Sequence, residues 1–163
     1  MSFDDLPYRP CAGFMLVNAD GHVFVGQRIE KRALGAWQMP QGGIDPGEDQ
    51  KTAALRELHE ETGITADKVE VIAQAKEPHV YDLPPELLGK VWKGKYRGQT
   101  QHWFLGRFLG TDADIDLEAH DPPEFNAWRW VEPQQLPELI VPFKRAVYAA
   151  LVEEFGPLIR ALD

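Results

Sequence analysis

Glu57, Glu60 and Glu61 stand at i, i+3 and i+4, immediately after Arg56. On a helix this spacing brings the three carboxylates to one side. Left alone, that arrangement is unfavourable. Like charges at i, i+4 destabilise a helix by roughly 0.2–0.5 kcal/mol per pair, and a last helical turn is the negative end of the dipole. Arg56 can pair with Glu60, but one cation does not balance three carboxylates. A divalent cation does, and clustered carboxylate oxygens suit a hard ion such as Mg2+ or Mn2+. A solvated acidic face is the plain alternative for a glutamate cluster taken by itself.

These residues must be carried by the stretch from Gly42 to Ile64. Pro46, Gly47 and Glu48 are turn residues. From about Asp49 to Thr62 nothing breaks a helix, and Gly63 sits where a left-handed C-cap residue is wanted, with apolar Ile64 behind it. Ala54, Leu55 and Leu58 form the expected core face. The adjacent glycines Gly42 and Gly43 permit close backbone approach to a ligand or to the helix.

The spacing resembles the Nudix box, G-x5-E-x7-R-E-U-x-E-E-x-G-U, where U is a large apolar residue. Gly42, Glu48, Arg56, Glu57, Leu58, Glu60, Glu61, Gly63 and Ile64 match every fixed position, nine within a 23-residue frame. Such a frame is far more specific than a lone glycine-rich loop.

A chain of 163 residues suits one domain with an adequate core, here expected to span residues 1–163. No apolar run approaches membrane-spanning length, and the acidic N-terminus lacks the features of a signal peptide. Cys11 stands alone, which excludes an intrachain disulfide framework. It reads as a small apolar strand residue, with a catalytic nucleophile as the alternative. The net charge of −9 argues against broad backbone neutralisation of a long nucleic acid. It allows a protein that holds only a terminus, with metal ions carrying the positive charge. A cytoplasmic monomer is expected, with no membrane or DNA partner.

Along the chain, residues 11–17 are a strand candidate, Asn18 to Gly21 a turn, and Val23 to Val25 the return strand. Residues 28–32 form a charged loop, in which Arg28 is either solvated or a contact to phosphate or base. Strands are also expected at residues 69–72, 101–109, 115–117 and 127–131. Residues 76–95 read mostly as loop. Lys90, Lys93, Lys95 and Arg97 interleave with Trp92 and Tyr96, which suits either an exposed hairpin or contact with single-stranded nucleic acid or a nucleotide. A helix should begin near Val141, with Pro142 in its first turn and Val147, Leu151 and Phe155 on its core face. Phe143 and Lys144 are either core and surface, or a base-stacking platform and a phosphate contact. Strands flanking a central and a C-terminal helix fit an α/β fold.

The resemblance extends beyond the box. Tyr8-Arg9-Pro10, residues 37–43, residues 99–104, Pro123-Glu-Phe125, Trp128-Arg-Trp130 and Phe143-Lys-Arg145 look like the bacterial RNA 5′-pyrophosphohydrolases, a group also described as diadenosine polyphosphate hydrolases. The resemblance implies a Nudix-type α/β/α sandwich with a mixed β-sheet. It implies Mg2+, or alternatively Mn2+, held by Glu57, Glu60, Glu61 and, from a loop opposite the helix, Glu124. Such ions neutralise a polyphosphate and acidify a water for attack on phosphorus. A glutamate not fully committed to metal, Glu57 or Glu60, then serves as general base, and Arg56 orients the carboxylates. Arg9, Arg28, Gln41, Gly42, Phe143 and Lys144 are the substrate-binding candidates. The implied substrate is a 5′-triphosphorylated RNA, cut to a 5′-monophosphate and pyrophosphate as a step in RNA decay. A dinucleoside polyphosphate or a free nucleotide is the alternative. A non-catalytic Nudix-fold binding module would be expected to lack metal ligands, and this chain has them all.

Overall fold

A computed structural model describes residues 5–29 and 35–162. The strands are β1 (Tyr8–Val17), β2 (Val23–Arg28), β3 (Trp37–Gln38), β4 (Gln41–Gly43), β5 (Val69–Gln74), β6 (His79–Asp82), β7 (Gly98–Phe108) and β8 (Phe125–Val131). They form a mixed sheet in the order β3-β2-β1-β7-β5, with β4 paired to β1, β6 to β7 and β8 to β2. The helices are α1 (Gln50–Thr62), the short α2 (Leu136–Leu139) and α3 (Arg145–Arg160). β1 and β7 run parallel from Tyr8↔Gly98 to Val17↔Arg107, and the other pairings are antiparallel.

The apolar run of β1 is explained by burial on both faces. Ala12, Phe14 and Leu16 join Ala54 and Leu58 of α1 in one core. Met15 and Val17 join Val147, Leu151 and Phe155 of α3 in the other. Trp103 and Phe104 of β7 divide in the same way, Trp103 toward α3 and Phe104 toward α1. The α/β/α arrangement follows from this alternation. Leu55 is only half-buried, and Ala53 completes the core face of α1 instead.

Two expectations are corrected and one is refined. Residues 115–117 are not a strand. After a 3-10 turn at Asp112–Asp114, the Asp116 amide donates to the Thr62 carbonyl at 2.7 Å, so this segment caps the end of α1. Within residues 76–95, His79–Asp82 forms strand β6, in which only Tyr81 is buried. So short and polar a strand shows little apolar pattern. The basic and aromatic run is not a hairpin but a series of turns around a 3-10 turn at Trp92–Gly94. Of the charged loop, residues 30–32 lie outside the described residues, as do 33 and 34.

Candidate active site

The site is built where β4 hands the chain to α1. Asp49 caps the helix by accepting from the Thr52 amide, and Gly63 ends it with φ 77°. A left-handed C-cap at glycine releases the chain cleanly after the glutamates. Arg56 joins the loop to the helix. Its Nε and Nη2 donate to the two Glu48 oxygens at 2.8 and 2.9 Å, and Nη2 also donates to the Gly43 carbonyl at 2.8 Å. Its Nη1 donates to Glu57 at 2.9 Å and to Glu60 at 3.3 Å. The paired geometry to Glu48 uses the planar guanidinium fork. These hydrogen bonds hold the Glu48 carboxyl down at about 2 and push the Arg56 guanidinium further up. The sequence marks Glu48 as a box position; its role as Arg56's clasp depends on this tertiary contact.

Gly42 resolves the choice between ligand and helix as the reason for its missing side chain. A Cβ there would lie 2.2 Å from the Glu57 carboxyl carbon, so the bare backbone makes room for the glutamate. Burial raises the Glu57 carboxyl, against the pull of Arg56. Glu61 is 2% exposed and accepts from the Gln41 backbone N–H, while its Oε2 is buried without a hydrogen-bond partner among the described residues. Its carboxyl is pushed well up, first by burial and then by the charges of Glu57 and Glu124.

Glu57, Glu60, Glu61 and Glu124 line one cavity of about 250 Å3 together with Arg9, Arg28, Lys144, Gln41 and Gly42. Arg56 stands outside that lining and ties the carboxylates from behind. Phe143 belongs to an adjoining cavity of about 310 Å3, which shares Arg28, Gln38, Trp92 and Lys144 and adds Tyr81, Leu83, Leu87 and Val141. Of the first alternative for Phe143 and Lys144, the surface placement of Lys144 is overturned, whereas Phe143 does pack against the α3-side core. Phe143 is half-buried, whereas Lys144 is 8% exposed, with Nζ 5.3 Å from the Tyr81 ring.

Of the basic run, Lys90 and Trp92 reach the adjoining cavity, and Arg9 lies over the Trp92 ring at 5.3 Å. Lys93 and Lys95 are exposed, while Arg97 pairs with Asp82 and covers Tyr8. Cys11 is fully buried and its thiol is pushed up to about 11, which fits a packing residue rather than a nucleophile. Gln38 and Gln99, both buried, line the carboxylate cavity but escaped the sequence reading. No local signal marks them, since Gln99 stands in the polar start of β7 beside Thr100, Gln101 and His102, and Gln38 in the two-residue β3.

The donor set suits a hard cation, four carboxylates converging on one cavity. The orphaned, buried Glu61 oxygen fits the same reading, because burying a carboxylate without a partner is costly. Among the described residues, no three His, Cys, Asp or Glu side chains are already closed around one point. Glu57 and Glu60 are instead turned onto Arg56.

The sequence model of the NUDIX domain matches residues 7–151. The chain belongs to the Nudix family. A protein of Erythrobacter litoralis named RNA pyrophosphohydrolase is 66% identical over 156 residues, 96% of this chain and 95% of the relative. One of the same name from Novosphingobium aromaticivorans is 63% identical over 158 residues, 97% and 98% of the two chains. A solved C. elegans Ap4A hydrolase binary complex superposes with a TM-score of 0.70 at 23% identity, covering 94% of this chain and 99% of that one. The E. coli dihydroneopterin triphosphate pyrophosphohydrolase gives 0.69 at 20% identity, covering 91% and 99%. These two likenesses establish the Nudix fold. No helix among the described residues is long and apolar enough to cross a membrane.

Proposed function

We propose that this Nudix protein removes pyrophosphate from the 5′-triphosphate end of RNA, leaving a 5′-monophosphate and so promoting decay of the transcript. The observation that carries the proposal is one cavity lined by four carboxylates and three cations, opening into a half-apolar compartment with Phe143 on its wall. A polyphosphate bound through cations suits the first, and a nucleobase suits the second. Relatives at 66% and 63% identity carry the RNA pyrophosphohydrolase name.

Glu57, Glu60, Glu61 and Glu124 would hold divalent cations, Mg2+ or Mn2+. A cation bound there neutralises phosphate charge and lowers the pKa of water. Arg9, Arg28 and Lys144 hold the phosphate oxygens, with Gln41 and Gly42 at the floor and Phe143 as a stacking surface. Arg56 fixes the carboxylates through Nη1, and Glu57 or Glu60 takes the proton from the attacking water. Water adds to phosphorus, the α–β anhydride bond breaks, and pyrophosphate leaves. The chain works as a single domain and as a monomer in the cytoplasm.

A competition assay tests this reading. A short 5′-triphosphorylated RNA and diadenosine tetraphosphate are incubated together with the protein and Mg2+, and the products are separated. Faster release of pyrophosphate from the RNA is expected. Faster cleavage of the dinucleotide moves the assignment to dinucleoside polyphosphate hydrolysis. Ligand binding without hydrolysis of either would mean a binding module.

A further inference from the structure

A chain of buried amides leads from the core to the floor of the carboxylate cavity. Trp103 is fully buried in the α3-side core, edge-on to Tyr148, and Gly13 leaves the space for its ring. Its Nε1 donates to Gln101 Oε1 at 3.0 Å. Gln101 Nε2 then donates to Gln99 Oε1 at 2.9 Å and to Gln41 Oε1 at 3.3 Å. Gln99 and Gln101 are 1% and 2% exposed, and Gln99 and Gln41 both line the carboxylate cavity.

The polarity of this chain is forced from one end. An indole N–H donates and never accepts. The amide of Gln101 must therefore turn its oxygen to Trp103, which turns its NH2 to the other two glutamines. They must accept with their own oxygens, which leaves their NH2 groups over. An amide can be flipped at little cost on a surface, but here each orientation is set by its partner.

We propose that Trp103 and Gln101 are positioning residues that lock Gln41 and Gln99 with their NH2 groups offered to the cavity as a pair of donors for phosphate oxygens. The inference rests on the polyphosphate reading of the site and extends it to three residues, Gln99, Gln101 and Trp103. Neutral donors suit this floor. They bind anionic oxygens without competing for the cations that the glutamates would hold, whereas a carbonyl turned the same way would repel phosphate.

The test is NMR on the full chain carrying 15N-glutamine, titrated with inorganic pyrophosphate in Mg2+. The NH2 signals of Gln41 and Gln99, assigned by their loss in Gln41→Glu and Gln99→Glu, are expected to shift with the binding curve. Trp103→Phe keeps an aromatic ring but removes the donor, and the dissociation constant is expected to rise about tenfold, the scale of a charge-assisted hydrogen bond. Gln101→Leu should do the same with the core tryptophan intact. A melting temperature that falls while the dissociation constant stays put would show mere packing and overturn the proposal. So would binding that saturates with both NH2 signals unmoved, or no binding of pyrophosphate at all. If neither variant folds, the wild-type titration decides. Shifted NH2 signals without hydrolysis of RNA would sink the RNA assignment and leave the donor pair standing.

Discussion

Replacing Gly42 with alanine should separate activity from stability. The new Cβ would meet Glu57 Cδ and Oε2 at 2.2 Å and Oε1 at 2.5 Å, where ordinary contact begins at 3.4 Å. The carboxyl must then retreat by about 1.2 Å, the gap between 2.2 and 3.4 Å. It can do so by rotating its own flexible side chain, because Gly42 does not need a left-handed backbone and alanine fits the strand. Rotation breaks the 2.9 Å hydrogen bond from Arg56, which still holds Glu48, Gly43 and Glu60. That loss should cost about 1.5 kcal/mol, the low end for a hydrogen bond to a charged group, a fall of roughly 3–6 °C in melting temperature for a chain of this size. A catalytic group misplaced by about 1 Å can cost on the order of 100-fold in rate. Steady-state kinetics on 5′-triphosphorylated RNA should therefore show kcat falling about 100-fold beside a small shift in melting. A kcat within threefold of wild type would refute the placement of Glu57 at the chemistry. A large fall in melting temperature would show that the strand moves in place of the side chain.

Glu57→Gln and Glu60→Gln should each reduce turnover strongly at saturating Mg2+ while circular dichroism stays native; wild-type rates in both would remove them from the site. Leu58 is 1% exposed, and Leu58→Ala should lower unfolding free energy by roughly 2–5 kcal/mol; an unchanged urea midpoint would contradict its place in the core. Glu48 titrates at about 2 in the folded chain against an ordinary 4.5. A depressed carboxyl contributes stability that is complete above about 4.5 and lost as pH falls through about 2. Glu48→Gln should thus destabilise the protein at neutral pH by on the order of 2–3 kcal/mol and flatten acid unfolding over that window. Parallel acid curves for variant and wild type would count against the Arg56–Glu48 clasp.

The parts of the molecule legible in sequence are those whose causes are local. α1 was readable because its cap, its core face and its terminating glycine all lie within one segment. The glutamates were readable because a helix converts spacing into direction. Glu124 was readable only through the family pattern, since nothing local brings it to α1. β6 was missed because its pairing with β7 supplies what its own sequence lacks. Ile115 and Leu117 carry a strand-like alternation, yet the open end of α1 competes for the Asp116 amide and wins. Lys144 stands between surface and phosphate contact in the sequence, and the 3-10 turn Pro142–Lys144 ahead of α3 places it in the wall of two cavities. Gln99 and Gln101 gain their meaning from the parallel register of β1 and β7, which no local pattern records.

The placement of Arg56 explains why the glutamate cluster still favours a cation. Its Nε and Nη2 are engaged by Glu48 and Gly43, so only Nη1 reaches Glu57 and Glu60. Arg56 therefore acts first as the clasp that fixes the loop against the helix and second as a counter-charge. Glu61 receives no hydrogen bond from it and is buried near Glu57 and Glu124, whose charges raise its carboxyl further. Glu60 and Glu61 also sit in the last turn of α1, where the dipole opposes them. Excess negative charge is thus concentrated in a cavity whose cations, Arg9, Arg28 and Lys144, share its lining. A substrate that brings phosphate together with divalent cations answers both needs, because the cations meet the glutamates and the phosphates meet the basic residues. Free phosphate without the cation would meet four carboxylates. The electrostatics of the cavity therefore favour phosphate that arrives with a divalent cation over phosphate alone.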